Sequence, residues 1–90
     1  VDIDWEFPTN DMGSIRARPE DRQNFTLMLA SLRHRLDALS NAEQRVGKER
    51  YLLTIAAGAG QYYLDGVELE QVASHCDFIN LMSYDLYGAW

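Results

Sequence analysis

The chain opens on a strict alternation of apolar and acidic residues, "VDIDWEFP". The apolar positions are Val1, Ile3, Trp5 and Phe7, and the acidic ones are Asp2, Asp4 and Glu6. Successive side chains of a strand point to opposite faces. The pattern therefore predicts a strand over residues 1–7, ended by Pro8, with three carboxylates on one face and the large apolar groups on the other.

A helical pattern follows a polar loop. Pro19 marks the start of the helix, and Glu20 and Asp21 fall in its first turn, where acids suit the helix dipole. Apolar residues then recur three and four positions apart: Phe25, Met28, Leu29, Leu32, Leu36 and Leu39. This spacing predicts an amphipathic helix that runs to about Leu39.

The second half of the chain predicts two further strands and a short helix between them. "YLLTIAA" (residues 51–57) is apolar almost throughout, as in a parallel strand that is covered on both faces, and Gly58 follows it. The segment "VELEQVASHC" has apolar residues at helical spacing: Leu69, Val72, Ala73 and Cys76. "DFINLMSYD" (residues 77–85) predicts the third strand, ended by Gly88.

Alternation of strands and helices implies parallel strands joined by right-handed crossovers. Three strands do not close such a sheet, and an open one would leave two apolar edges exposed, which folded proteins avoid. We therefore expect residues 1–90 to be an internal fragment of one larger α/β domain. A minimal, self-standing domain with a structural or interaction role is the competing reading.

Composition limits the classes of partner. The chain is 47% hydrophobic and 24% charged, with a net charge of −6. No basic stripe is available to neutralise phosphates, so nucleic acid and anionic membranes are not expected partners, whereas a neutral substrate is compatible. The longest mostly apolar run is too short to span a bilayer. The single cysteine, Cys76, excludes an internal disulfide.

The acid row, by which we mean Asp2, Asp4 and Glu6, suggests chemistry. Neighbouring Cα atoms on one face of a strand lie roughly 6.5 to 7 Å apart. Three ionised carboxylates at that spacing repel, so at least one is expected to share a proton or to find a donor, as a general acid requires. A solvated acidic face and an oxygen-rich Mg²⁺ or Ca²⁺ site are the alternatives. The metal reading is the weakest because no histidine or asparagine cluster completes a shell, and we assign neither metal nor cofactor.

The end of the third strand carries further candidates. "LMSYDLYGAW" places Met82, Tyr84 and Asp85 there, followed by Trp90. In parallel α/β proteins the C-terminal strand ends face the active site, and Glu6 sits at the corresponding end of the first strand. Aromatic groups beside carboxylates suit a sugar, since rings stack on C–H groups and carboxylates accept from hydroxyls and amides.

These residues resemble the family 18 glycoside hydrolases, of the bacterial chitinase type. "VDIDWEFP" is similar to the end of the family pattern D-x-x-D-x-D-x-E, and "LMSYDLYGAW" to its M-x-Y-D motif. "RPEDRQNFTLMLASLRHRLDA" and "YLLTIAAGAG" resemble the helix and strand between them. The resemblance implies a partial (β/α)8 TIM barrel, namely strands four to six with their two linking helices.

The resemblance also implies a reaction, substrate-assisted retaining hydrolysis of β-1,4-linked N-acetylglucosamine through an oxazolinium ion. Glu6 would be the general acid and base, Asp4 would orient the acetamido group, and Asp2 would share a proton with Asp4. The substrate-binding residues would be Tyr84, Met82, Asp85 and Trp90. Phe7 departs from the tyrosine found in many members.

Two other activities fit the same motifs. One is an endo-β-N-acetylglucosaminidase acting on glycoprotein glycans, and the other is a non-catalytic chitin-binding lectin, although such lectins usually lose the acid at the position of Glu6. The resemblance further implies chitin or its oligosaccharides as the partner and a secreted parent protein. The isolated ninety residues are expected to be inactive because much of the cleft would be absent.

Overall fold

A computed structural model of the chain describes residues 1–13 and 15–84. In chain order its regular elements are β1 (Asp2–Ile3), α1 (Asp21–Ala42), β2 (Thr54–Gly58), α2 (Gln61–Gly66), α3 (Leu69–His75) and β3 (Phe78–Met82). Single 3₁₀ turns lie at Asp11–Gly13 and Gly47–Glu49.

The three strands form one parallel sheet in the order β1-β2-β3. Asp2 lies opposite Thr54 and Ile3 opposite Ile55 in the first pairing, while β2 and β3 pair along five residues. The helices pack on one face of this sheet. The parallel α/β arrangement that the sequence predicts is therefore confirmed for the described residues.

The core lies between β2 and the helices. Its buried members are Phe25, Leu29, Leu53, Ile55, Ala57, Tyr63, Val67 and Val72. The apolar stripe of α1 supplies two of them, as its spacing predicts, and Leu32 and Leu36 pack against the same cluster. Asp21 accepts hydrogen bonds from the amides of Arg18 (2.9 Å) and Thr9 (3.3 Å), which fixes the loop at the start of α1.

The first strand is shorter than predicted. Only Asp2 and Ile3 have ladder partners on β2, whereas the alternation itself continues to Phe7. Trp5 meets Phe25 of α1 edge-to-face at 5.4 Å between ring centroids, and Phe7 meets Tyr62 of α2 at 5.2 Å. These ring contacts hold the segment against the helices after the strand pairing has ended.

The helix α2 is not expected from the sequence, because six residues are too few for an apolar period to show. It follows the glycines of "GAG" and ends at Gly66, where a Cβ would overlap the hydroxyl oxygen of Thr9. The helix α3 lies inside the predicted segment. The strand β2 begins three residues later than predicted and includes Gly58, and β3 begins one residue later than predicted and ends at Met82, before Ser83 and Tyr84. No helix in the described part of the chain is long and apolar enough to cross a membrane.

Candidate active site

The acid row begins on the face of the sheet opposite the helices with Asp2, and Asp4 and Glu6 follow beyond the end of β1. The side chains of Asp2, Asp4 and Glu6 are exposed. The intervening residues Ile3, Trp5 and Phe7 are half-buried and pack against the core cluster. The predicted division of this segment into an acidic face and an apolar face is thus what the structure shows.

One member of the row has found a hydrogen-bond donor. Thr54, on the central strand, donates from its hydroxyl to Oδ1 of Asp2 at 2.6 Å. The two residues are direct partners in the β1–β2 register, so their side chains emerge side by side. The expectation that one carboxylate of the row would acquire a donor is met at Asp2.

The register extends this face across the sheet. Thr54 lies opposite Phe78, Ala56 opposite Asn80, and Gly58 opposite Met82. Ile55 and Ile79, the residues between them, belong to the helix side, where Ile55 is buried. Met82 therefore emerges on the same face as Asp2, at the C-terminal end of β3.

The structure describes two of the four predicted sugar-binding residues, Met82 and Tyr84. Met82 is half-buried, and Tyr84, two residues beyond it, is exposed. Asp85 and Trp90 lie outside the described residues. Asp2 and Met82 thus lie on the two outer strands of one sheet, on the same face and with β2 between them, and Tyr84 follows the end of β3.

Two glycines allow close contacts beside Glu6 and at the end of β2, and the sequence does not single them out as functional. A Cβ on Gly13 would overlap the carbonyl oxygen of Glu6, so the 3₁₀ turn can lie against Glu6 only without a side chain there. A Cβ on Gly58 would lie 2.9 Å from the hydroxyl of Tyr62 and 3.1 Å from Tyr63. Glycine at both positions lets the 3₁₀ turn lie against Glu6 and the rings of Tyr62 and Tyr63 lie against the end of β2.

The charge of Asp4 affects the pKa of Tyr63, a buried residue of the core. Burial raises the pKa of Tyr63 to about 12, and the Cys76 thiolate that forms in alkali and the charge of Asp4 add to that effect. The row therefore stands close to a buried phenol that stays neutral at ordinary pH.

Two other kinds of site, a metal site and a ligand cleft, are weaker candidates within the described ranges. Among residues 1–13 and 15–84, no three His, Cys, Asp or Glu side chains are grouped so that they could hold a metal ion. An open cleft of about 330 Å³ lies at the other end of the sheet, near Arg33, Arg50 and Asp77. Its arginines are already paired, Arg33 with Asp77 at 2.7 Å and Arg50 with Asp37 at 3.6 Å. The acid row is the better candidate.

Comparison with known proteins identifies the family of the chain. The sequence profile of glycosyl hydrolases family 18 matches residues 1–90. Chitinase A1 of Niallia circulans is 45% identical over the whole chain, which spans 12% of that protein, and chitotriosidase-1 of Mus musculus is 37% identical over 99% of the chain and 18% of its own length. A family 18 N-acetylglucosaminidase from Paenibacillus barengoltzii superimposes with a TM-score of 0.90 at 45% identity, over 99% of this chain and 25% of that one.

Proposed function

Because the chain belongs to glycosyl hydrolase family 18, we propose that it is part of the catalytic domain of a chitinase, which hydrolyses β-1,4-linked N-acetylglucosamine. The observation that carries the proposal is the exposed acid row, which starts on β1, with Met82 on the same face of the sheet at the end of β3. The likeness to chitinase A1 of Niallia circulans supports the choice of substrate.

The domain proposal rests on the open sheet and on coverage. Within the described residues, β1 and β3 each pair with β2 alone. The ninety residues match a quarter or less of each related protein compared above. We propose that they are an internal piece of one barrel, strands four to six with their linking helices, and that the remaining strands complete the cleft.

The proposed reaction begins at Glu6. Its carboxyl group gives its proton to the leaving glycosidic oxygen while the C1–O bond breaks. The acetamido oxygen of the same sugar attacks C1 and forms the oxazolinium ion, so no enzyme carboxylate becomes covalently attached. Glu6 then takes a proton from water as that water opens the ring.

The other acids act on the acetamido group. Asp4 orients it and stabilises the positive charge that develops, and Asp2 shares a proton with Asp4. The pair holds one negative charge in place before the reaction, and such a charge stabilises the developing cation without reorganising at the moment of reaction. Tyr84 donates to the acetamido oxygen, and Met82 lines the same subsite. Asp85 and Trp90, which lie outside the described residues, are assigned to substrate binding by resemblance alone.

We propose that the parent protein is secreted, because chitin is an extracellular polymer. A related chitinase, ChiW of Paenibacillus sp. FPU-7, is described as cell-surface-expressed and is 48% identical to this chain.

The test compares the complete protein with its Glu6→Gln variant for release of a fluorophore from an N-acetylchitooligosaccharide glycoside. We expect the rate to fall by about 10³-fold, since glutamine cannot supply the proton. The matched control is Glu70→Gln, an exposed glutamate on α3 whose loss should leave the rate unchanged. Chitin binding without turnover by the wild type would indicate a lectin, and turnover only of glycoprotein glycans would indicate an endo-β-N-acetylglucosaminidase.

A further inference from the structure

A single hydroxyl interrupts the apolar run of β2. Thr54 is only 6% exposed, and its Oγ1 donates to Oδ1 of Asp2 at 2.6 Å. Its backbone amide donates to the carbonyl oxygen of Val1 at 2.9 Å, so the residue is tied to β1 through both main chain and side chain. The hydroxyl therefore has little freedom to turn away from Asp2.

The direction of this bond has a chemical consequence. An ionised carboxylate only accepts hydrogen bonds, and a hydroxyl that donates to it stabilises the charged form. Placing the shared proton on Asp2 would weaken that stabilisation, because a neutral carboxyl group is a poorer acceptor than a carboxylate. We propose that Thr54 is a positioning residue that keeps the negative charge of the pair on Asp2 and leaves the shared proton on Asp4.

This inference rests on the proposed function and adds a residue to it. With the proton on Asp4, one oxygen of that carboxyl group accepts from the acetamido N–H. Its O–H is free to donate to Glu6 after Glu6 has given its own proton to the leaving group. The single negative charge, stored on Asp2, still faces the developing cation.

The described surroundings of Asp2 contain few other charges that would decide where the proton lies. On its own segment Asp2 has Asp4 and Glu6 as neighbours. The register places Ala56 of β2 and Phe78 and Asn80 of β3 on the same face, and none of them titrates. Asp77, at the start of β3, is neutralised by Arg33 at 2.7 Å.

The test uses the complete protein and three variants. Thr54→Val keeps the shape and removes the donor, whereas Thr54→Ser keeps the donor. Thr26→Val is the matched control, because Thr26 makes the same kind of bond, 2.6 Å to Glu68, away from the acid row. Each variant is first checked for an unchanged melting profile, and then kcat and KM on a chitooligosaccharide glycoside are measured across pH.

We expect Thr54→Val to lower kcat by roughly tenfold, the effect of losing a hydrogen bond to a charged group, with little change in KM. A second proton enters the pair more easily once Asp2 has lost its donor, so the acid limb of kcat moves up by about one pH unit. Thr54→Ser should restore both values. Thr26→Val should leave the pH profile where it is in the wild type.

A second readout keeps the inference testable if the complete protein proves inactive. The ¹³C carboxyl resonance of Asp2 should titrate at higher pH in Thr54→Val than in the wild type. An inactive wild type with this shift would refute the proposed function and leave the role of Thr54 standing. Two results with a folded Thr54→Val protein would overturn the inference. One is an Asp2 resonance that titrates as in the wild type. The other, in an active enzyme, is a pH profile of kcat that does not change. If Thr54→Val does not fold, Thr54→Ser decides, because its loss of activity would show that the hydroxyl is not what matters.

Discussion

Tyr63 places a phenol hydroxyl in the centre of the core. The residue is 2% exposed, and among the described residues its Oη has no hydrogen-bond partner. Burial is the main reason that the pKa of Tyr63 rises to about 12, and the Cys76 thiolate that forms in alkali and the charge of Asp4 raise it further. The ring contributes packing, including an edge-on contact with Phe7 at 6.4 Å, but the hydroxyl has lost its water without gaining a partner.

We predict that Tyr63→Phe stabilises the complete protein by about 1 kcal/mol at pH 7, because it removes an unsatisfied polar group. The gain should grow with pH. Below pH 10 the phenol is neutral in both states, and between pH 10 and 12 it ionises only when unfolded, so the wild type loses about 1.4 kcal/mol by pH 11. Urea unfolding at pH 7 and pH 11 measures both effects.

Tyr51→Phe serves as the control for Tyr63. The hydroxyl of Tyr51 donates to Glu43 at 2.7 Å at the surface, so its removal should give no stabilisation. Equal pH dependence of Tyr63→Phe and wild type would show that the phenol is solvated in the complete protein.

At the residue scale the sequence predicts the acid row and that its three side chains share one face. This prediction needs only the alternation of apolar and acidic residues within one segment. The sequence does not predict the role of Thr54. The hydroxyl in "YLLTIAA" can be assigned a role only when Asp2 is known to be the ladder partner of Thr54. That pairing cannot be read from one segment, because strand register depends on two. A lone polar residue in an apolar strand is the signal that could have prompted the question.

The elements differ in how well the sequence predicts them. The helix α1 has six apolar residues in register, and the structure extends it only three residues beyond Leu39. The strand β1 is predicted too long because its alternation is continued by ring packing rather than by ladder bonds. The short helix α2 is missed because its six residues carry no period of their own.

The starts of β2 and β3 are tied to the middle of α1. Oδ2 of Asp77 accepts from the amide of Leu53 and from the guanidinium of Arg33, each at 2.7 Å. Arg33 also donates to the carbonyl oxygen of Tyr51 at 3.1 Å. Burial alone would raise the pKa of Asp77, but the Leu53 amide and the Arg33 charge outweigh it and hold that pKa below its usual value.

We predict that Asp77→Asn destabilises the complete protein by about 1 to 2 kcal/mol at pH 7, a range discounted for solvent screening because the side chain is one-third exposed. A depressed pKa gives stability that is present above the unfolded pKa, near 4, and lost as the pH falls through the folded one. The difference between wild type and variant should therefore shrink below about pH 4 in urea unfolding experiments.

Asp65→Asn is the control for Asp77, since Asp65 is exposed on α2 and accepts only from the side chain of Gln61. Its effect should be close to zero at both pH values. A difference between wild type and Asp77→Asn that persisted at low pH would mean that the shape of the side chain, and not its charge, holds the strands.

The whole molecule is less compact than a domain of its length. The chain has a radius of gyration of 14.7 Å, whereas a compact domain of ninety residues has about 12 Å. Large apolar side chains of β3 stand exposed, Phe78 at 52% and Leu81 at 61%. The sequence could predict an open sheet from its strand count. It does not predict what covers these side chains, because no described residue packs over them closely enough to bury them.

The isolated ninety residues should consequently self-associate and fail to hydrolyse chitooligosaccharides. Exposed strand edges and apolar side chains recruit other chains, and an acid row on an open sheet cannot exclude water or orient a sugar. Sedimentation of the isolated chain should show species larger than a monomer, and Leu81→Lys should reduce them because it places a charge at the edge strand. A monomer that turns over substrate, with activity lost in Glu6→Gln, would instead show that three strands suffice for the cleft and that the barrel proposal is unnecessary.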